Sequence, residues 1–213
     1  MSIPGNLYVV AAPSGTGKTT LVKALVESVP HITVSISHST RPKRPLEIDG
    51  VHYYFIGEST FRQMIEQGDF LEYATVFHNL YGTSKIGVEK KLAEGQDVIL
   101  EIDWQGCQQI KALFPDCIAI FILPPSLQAL ALRLKNRNQD RPEIIAERLQ
   151  DAKIAVSHIH EYDYVIINAD FDHAVKDLQT IVYAARLLQK QQTIKYVNLL
   201  ADLTKIDTIT DFN

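Results

Sequence analysis

Cysteine is nearly missing: two residues in 213, Cys107 and Cys117, both in apolar-rich surroundings. They make no metal-type spacing and are too few for a disulfide framework, so they read as buried free thiols of a reducing compartment. Basic excess is missing as well. With a net charge of −4, no global field draws the chain to nucleic acid or to an anionic membrane, and any phosphate site must come from local clusters. Long apolar runs are absent. The run at 7–12 is too short for a signal peptide or a membrane span and has no basic stretch before it, which predicts a cytoplasmic protein. There is no internal repeat and no low-complexity tract. What remains is the composition of an ordinary globular protein, long enough for one good-sized domain or a core with inserted subdomains.

What is present begins with Ala12-Pro-Ser-Gly-Thr-Gly-Lys-Thr-Thr20. An apolar run precedes it, and Leu21, Val22, Leu25, Val26 and Val29 follow at helical spacing. Strand, Gly-rich turn, helix is the context of a phosphate loop. Successive backbone N–H groups of residues 12–20 (Ala12, Pro13, Ser14, Gly15, Thr16, Gly17, Lys18, Thr19, Thr20) surround a polyphosphate at the positive end of the helix, although Pro13 supplies no N–H. Gly15 and Gly17 let the backbone approach and take unusual dihedrals. Lys18 reaches the β- and γ-phosphates, and the Thr19 hydroxyl completes the shell of a Mg²⁺ ion. The usual pattern starts with Gly; Ala12 fits there if its φ stays negative.

Strands are predicted at 31–36, 70–77, 97–103, 117–123 and 164–168. Helices are predicted at 60–66, 84–94, 105–113 and 126–135, then up to about 160 and from 171 to about 188. Residues 78–82 read as a turn, and Asp49-Gly50 before an aromatic run suggests a small antiparallel unit. Alternating strands and helices make a parallel sheet with right-handed crossovers. Residues from about 37 to 90 differ in character and read as a small mixed insert. Glu101 and Asp103 close the 97–103 strand at the end where open α/β sheets bind ligands. A basic cluster follows at Arg133, Lys135, Arg137, Arg141 and Arg148, and its apolar-free middle, 136–142, reads as an exposed, mobile loop. Beyond 192 the pattern weakens, and 204–213 reads as a loose tail.

Within the insert, Arg41 and Arg44 with Tyr53 and Tyr81 suit the dianionic phosphate of a mononucleotide. Glu72 lies inside an apolar strand pattern and needs a partner. A carboxylate facing the N1–H and N2–H₂ donors of guanine, with a hydroxyl facing O6, selects that base over adenine. Glu72 with Ser37 or Thr83 supplies such a set; a glutamate in an ordinary salt bridge fits the same residue.

These stretches resemble guanylate kinase of the bacterial type over roughly residues 5–200. The matching blocks, in chain order, are Pro-Ser-Gly-Thr-Gly-Lys-Thr, Ser-Thr-Arg-Pro-Lys-Arg-Pro, Asp-Gly-Val-His-Tyr-Tyr-Phe, Phe-Leu-Glu-Tyr-Ala, Tyr-Gly-Thr, Leu-Glu-Ile-Asp-Trp-Gln-Gly, Phe-Ile-Leu-Pro-Pro-Ser and Tyr-Asp-Tyr-Val-Ile-Ile-Asn. The resemblance implies an α/β P-loop NTPase fold, a parallel sheet flanked by helices with a small inserted NMP-binding subdomain and a lid. It divides the chain into a core (5–36, 91–132 and 150–192), an NMP-binding insert (37–90), a lid (133–149) and a tail (201–213). It implies ATP and GMP, with dGMP, as substrates, ADP and GDP as products, and Mg²⁺ as the metal. The GMP phosphate falls on Arg41, Arg44, Tyr53 and Tyr81, and guanine on Ser37, Glu72, Thr83 and Asp103. Asp103, with Glu101, orders the Mg²⁺ water shell. Arg133, Arg137 and Arg148 match arginines that close over the ATP phosphates beside Lys18, and Asn168 matches a residue near adenine. A homo-oligomer is left open. Departures are Ala12, Thr83 in place of serine, Asn136 and Asn138 in place of lid glycines, Pro142, and Ala169 in place of an acid.

Two rival readings share part of this pattern. A kinase for a ribose bisphosphate on the same scaffold has no use for Glu72, Ser37 and Thr83. A guanylate-kinase-like interaction module typically lacks a working phosphate loop.

Overall fold

The computed structural model describes residues 4–136 and 142–204. Five parallel strands form the central sheet in the order β2-β7-β1-β8-β9: β1 (Leu7–Ala11), β2 (Ile32–Val34), β7 (Asp97–Glu101), β8 (Ile118–Leu123) and β9 (Tyr164–Ile167). The side-chain period of two splits β1 between two cores. Tyr8 and Val10 pack with Leu21, Leu25, Leu178 and Val182 under helices α1 (Lys18–Ser28) and α7 (Phe171–Arg186). Leu7, Val9 and Ala11 pack on the other face with Val88, Cys107 and Ile110 from α3 (Lys85–Ala93) and α4 (Trp104–Leu113). Strands buried on both faces read as continuous apolar runs, which is why they were visible in the sequence. Both cysteines are free and buried.

A second, four-stranded sheet has the order β4-β3-β6-β5, from β3 (His38–Ser39), β4 (Tyr54–Phe55), β5 (Phe70–Val76) and β6 (Asn79–Ser84). Helix α2 (Glu58–Gln67) covers it with the buried Phe61, whose ring stacks on Phe70 at 4.5 Å. Two local expectations fail here. Residues 79–84 are a strand, not a turn: the hairpin closes over Phe77 and His78 alone, with φ of 47° and 64°. Two positive φ values in a two-residue loop match the twist of a hairpin, but neither residue is a glycine, so the signal was hidden. The Asp49-Gly50 stretch does not make an antiparallel unit either. Strand β4 runs parallel to β3, and Asp49 Oδ1 accepts from the Phe55 N–H at 2.8 Å.

Helices α5 (Leu127–Asn136) and α6 (Pro142–Ser157) pair through Leu130, Leu134 and Ala152. A short 3-10 turn (Ile159–Glu161) leads into β9. The helical pattern continues past 192 as α8 (Gln189–Lys195) and α9 (Val197–Thr204). No helix among the described residues is long and apolar enough to cross a membrane.

Candidate active site

The loop between β1 and α1 wraps the helix start. Gly15 and Gly17 have φ of +90° and +97°, a region that side chains resist. Ala12 does not take a positive φ, so it meets the condition for replacing glycine. Neither glycine has room for a larger residue: a Cβ on Gly15 would stand 2.8 Å from Leu134, and one on Gly17 2.8 Å from Asn168 Nδ2. Pro13 and Thr16 are buried, while Thr19 and Thr20 are exposed on α1.

Around this loop the carboxyl ends of the parallel strands deliver their polar groups. Thr19 Oγ1 donates to Glu101 Oε2 at 2.9 Å, and Lys18 Nζ reaches the Ile102 carbonyl at 3.5 Å. Burial lowers the Lys18 pKa; Glu101, Asp103 and Glu72 act against that shift. Asp103 is not part of the strand. It caps α4, accepting from Gly106 N at 3.1 Å, and its second oxygen accepts from Gln105 Nε2 at 3.0 Å. Asn168, after β9, donates to the Thr16 carbonyl at 2.7 Å.

Two of the three arginines expected over the polyphosphate reach the loop, each in a definite place. Arg133 donates to the carbonyls of Thr16 and Asn168, both at 3.0 Å, bracing the loop from behind. Arg148 NH1 reaches Ser14 Oγ at 3.4 Å, and its guanidinium lies 5.5 Å from the Phe77 ring of the hairpin. Arg137 and Asn138 lie outside the described residues, as do Asp140 and Arg141.

On the insert sheet Glu72 is 3 % exposed and accepts from Thr83 Oγ1 at 2.5 Å. The β3–β6 register continued by one residue sets Ser37 opposite Thr83. Burial raises the Glu72 pKa to about 7, and the Thr83 bond opposes it only in part. Tyr53 and Tyr81 rings meet edge-on at 5.8 Å, and Arg41 lies 4.9 Å over the Tyr53 ring. Burial raises the Tyr53 pKa. The fork of Arg41 is bonded by both nitrogens to Glu47, at 2.7 and 2.5 Å, and Glu47 also accepts from the Arg44 N–H at 2.8 Å. The Arg41 bonds hold the Glu47 pKa down at about 2. Arg44 is exposed.

Sequence reasoning missed Glu47 and Gly106. Glu47 is the acid in an otherwise basic turn, three residues after Arg44, and that spacing was the available signal. Gly106 sits inside a helix, where glycine costs stability and asks for a packing reason. The reason is tertiary: a Cβ there would overlap Glu72 Oε2.

The chain matches the guanylate kinase family profile over residues 4–185. It is 55% identical over 199 residues to the guanylate kinase of Pseudomonas fluorescens (strain Pf0-1), covering 93% of this chain and 97% of that one. It is 51% identical over 199 residues to the guanylate kinase of Methylobacillus flagellatus, covering 93% and 98%. Among solved structures, the crystal structure of guanylate kinase from Anaplasma phagocytophilum superposes with a TM-score of 0.72 at 29% identity, covering 89% of this chain and 90% of that chain. With a phosphate loop, an α/β sheet of this order and matches of this extent, the chain belongs to the guanylate kinase family.

Proposed function

We propose that this chain transfers the γ-phosphoryl group of ATP to GMP, and to dGMP, giving ADP and GDP. The observation that carries the reading is the buried Glu72–Thr83 pair, close enough to the phosphate loop for its charge to act on Lys18. A base reader and a polyphosphate cradle then lie beside each other.

The residues divide the work by chemistry. Loop amides at the start of α1 hold the ATP phosphates, and Lys18 neutralises the charge of the moving group. Arg133 keeps the loop backbone and Asn168 in register near the adenine, and Arg148 and Arg137 add charge from the lid at 133–149. Arg41, Arg44, Tyr53 and Tyr81 hold the GMP phosphate, with Glu47 fixing the plane of the Arg41 fork. Glu72 accepts from the guanine N1–H and N2–H₂, with Thr83, Ser37 and Asp103 completing the base site. The attacking phosphate oxygen is already ionised, so no general base is needed. Positioning and charge neutralisation supply the rate, and closure of the insert at 37–90 excludes water.

Mg²⁺ fits this donor set. Thr19 Oγ1 and Glu101 Oε2, 2.9 Å apart at the start of α1, are hard oxygen donors of the kind that complete the shell of an ion held mainly by phosphate oxygens and waters. Thr19 would ligate it directly, with Glu101 and Asp103 holding its waters, and it would screen charge on the β- and γ-phosphates.

The test is ADP release with MgATP and each of GMP, dGMP, AMP, CMP and UMP, with wild type beside Glu72→Ala. ADP with GMP and dGMP only, weakened by the substitution, is the expected result. No ADP with any nucleotide overturns the reading.

A further inference from the structure

Strand β5, which carries Glu72, is an edge strand of the insert sheet. The outward main-chain groups of an edge strand need a partner when they are covered. Here core helix α4 supplies it. Gln109 Nε2 donates to the Tyr73 carbonyl at 2.8 Å, and Gln109 Oε1 accepts from the Tyr73 N–H at 3.1 Å. This reciprocal pair is what a neighbouring antiparallel strand would make. Gln109 Nε2 also reaches the Gln105 carbonyl one turn back at 3.3 Å, which fixes the orientation of the amide. One turn earlier on the same helix face, Gln105 Nε2 reaches the Thr75 carbonyl at 3.4 Å and Asp103 Oδ2 at 3.0 Å. Between the two glutamines lies Gly106, against which the Glu72 carboxylate rests. The sheet of the insert therefore continues onto the core through side-chain amides rather than through a fifth strand.

We propose that Gln109 is a positioning residue for base recognition: its amide straps the main chain of Tyr73 to α4 and so fixes the neighbouring Glu72 carboxylate over Gly106 and beside Thr83. The strap makes the β5 edge the fixed side of the insert. Closure then moves the opposite side, with β4, Arg41 and Arg44, toward the phosphate loop. Gln105 extends the strap to Asp103, setting the base reader at a constant distance from the carboxylates beside Lys18. This inference rests on Glu72 being the guanine reader.

The experiment compares Gln109→Met, which keeps the side-chain length and removes both bonds, with Gln108→Met and Glu72→Gln. Gln108 is exposed and donates to Glu161 at 3.0 and 3.1 Å, so it controls for a glutamine lost from α4 without touching β5. Steady-state kinetics are read with GMP and with IMP, which lacks the N2 amino group. For Gln109→Met, KM for GMP should rise roughly five- to tenfold with kcat and KM for ATP held, as expected for losing a pair of hydrogen bonds that orient a binding group. The preference for GMP over IMP should fall with it, and Gln108→Met should match wild type. Hydrogen exchange on the wild-type protein gives a readout that needs no variant. The Tyr73 amide should be protected like the amides of the β5–β6 ladder, and exchange at the rate of an unpaired edge amide overturns the strap. If Glu72→Gln loses the GMP preference while Gln109→Met keeps both KM and preference, the strap is wrong and the base reader stands. If Glu72→Gln keeps the preference, the base reader fails and the strap's role fails with it.

Discussion

The phosphate loop and the Glu72–Thr83 pair lie close enough for charge to act between them but hold their polar groups in opposite ways. The loop is nine consecutive residues whose donors are main-chain amides, shaped by two glycines with positive φ and braced from outside by Arg133 and Asn168. The proposed base site draws Glu72 and Thr83 from two paired strands and Ser37 from the segment just before a third, and its buried carboxylate takes its hydrogen bond from the Thr83 hydroxyl. The first is a backbone device that works as soon as its turn folds. The second is a set of side chains whose meeting depends on sheet register and on how closely α4 approaches. The difference teaches where each is fragile: the loop to loss of a charge or a glycine, the base site to shifts of a fraction of an ångström in packing.

The largest effect separates the two at once. Lys18→Ala should lower kcat by about 10³-fold, the scale of removing a charge that acts on the transferring group. GMP affinity, read by calorimetry, should stay within about twofold, because Lys18 acts on the transferring phosphoryl group in the transition state rather than on bound GMP. A large loss of GMP affinity would show that the two regions are one electrostatic unit. Gly106→Ala sharpens the other half. It should favour the helix by about 1 kcal/mol in intrinsic propensity, yet lower kcat/KM for GMP by roughly 10- to 100-fold through the overlap with Glu72, with KM for ATP unchanged. Normal GMP kinetics in that variant would mean that the carboxylate has room to move.

The smallest effect is one of stability. Burial raises the Glu72 pKa from its ordinary 4.5 to about 7. A raised folded-state pKa contributes stability that is complete below the unfolded value and is lost as pH rises through about 7. Glu72→Gln carries no such dependence. Denaturant unfolding should find the variant equal to wild type near pH 4.5 and more stable at pH 8, by up to about 3 kcal/mol. The opposite sign at pH 8 would mean that the ionised carboxylate is well satisfied without ligand. The gain would come with the loss of guanine selection, as expected where a site stores unfavourable burial for use in binding.

Much of the core was legible because its signals are local. Strands buried on both faces are apolar runs, and the phosphate loop is contiguous, so the α/β class and the cradle could be placed from spacing alone. The insert was harder. Its hairpin turns on Phe77 and His78, which carry none of the usual turn residues, and β4 pairs in parallel with β3 across a loop that looked like a hairpin. Glu72 was visible as a carboxylate needing a partner, but that the partner is the Thr83 hydroxyl at 2.5 Å is set by the pairing of β5 with β6. Asp103 seemed to end a strand and instead caps a helix.

By itself the sequence determined the elements whose cause lies within a few residues: the loop, its helix, the apolar strands and the basic turn. Tertiary structure alone decided which polar groups face one another. It gave Arg41 to Glu47, Arg133 to the back of the loop, and the edge of β5 to the glutamines of α4. Hydrogen bonds act over about 3 Å, and partners 36 residues apart, as Gln109 and Tyr73, or 117 apart, as Arg133 and Thr16, carry no trace of that distance until the chain is folded.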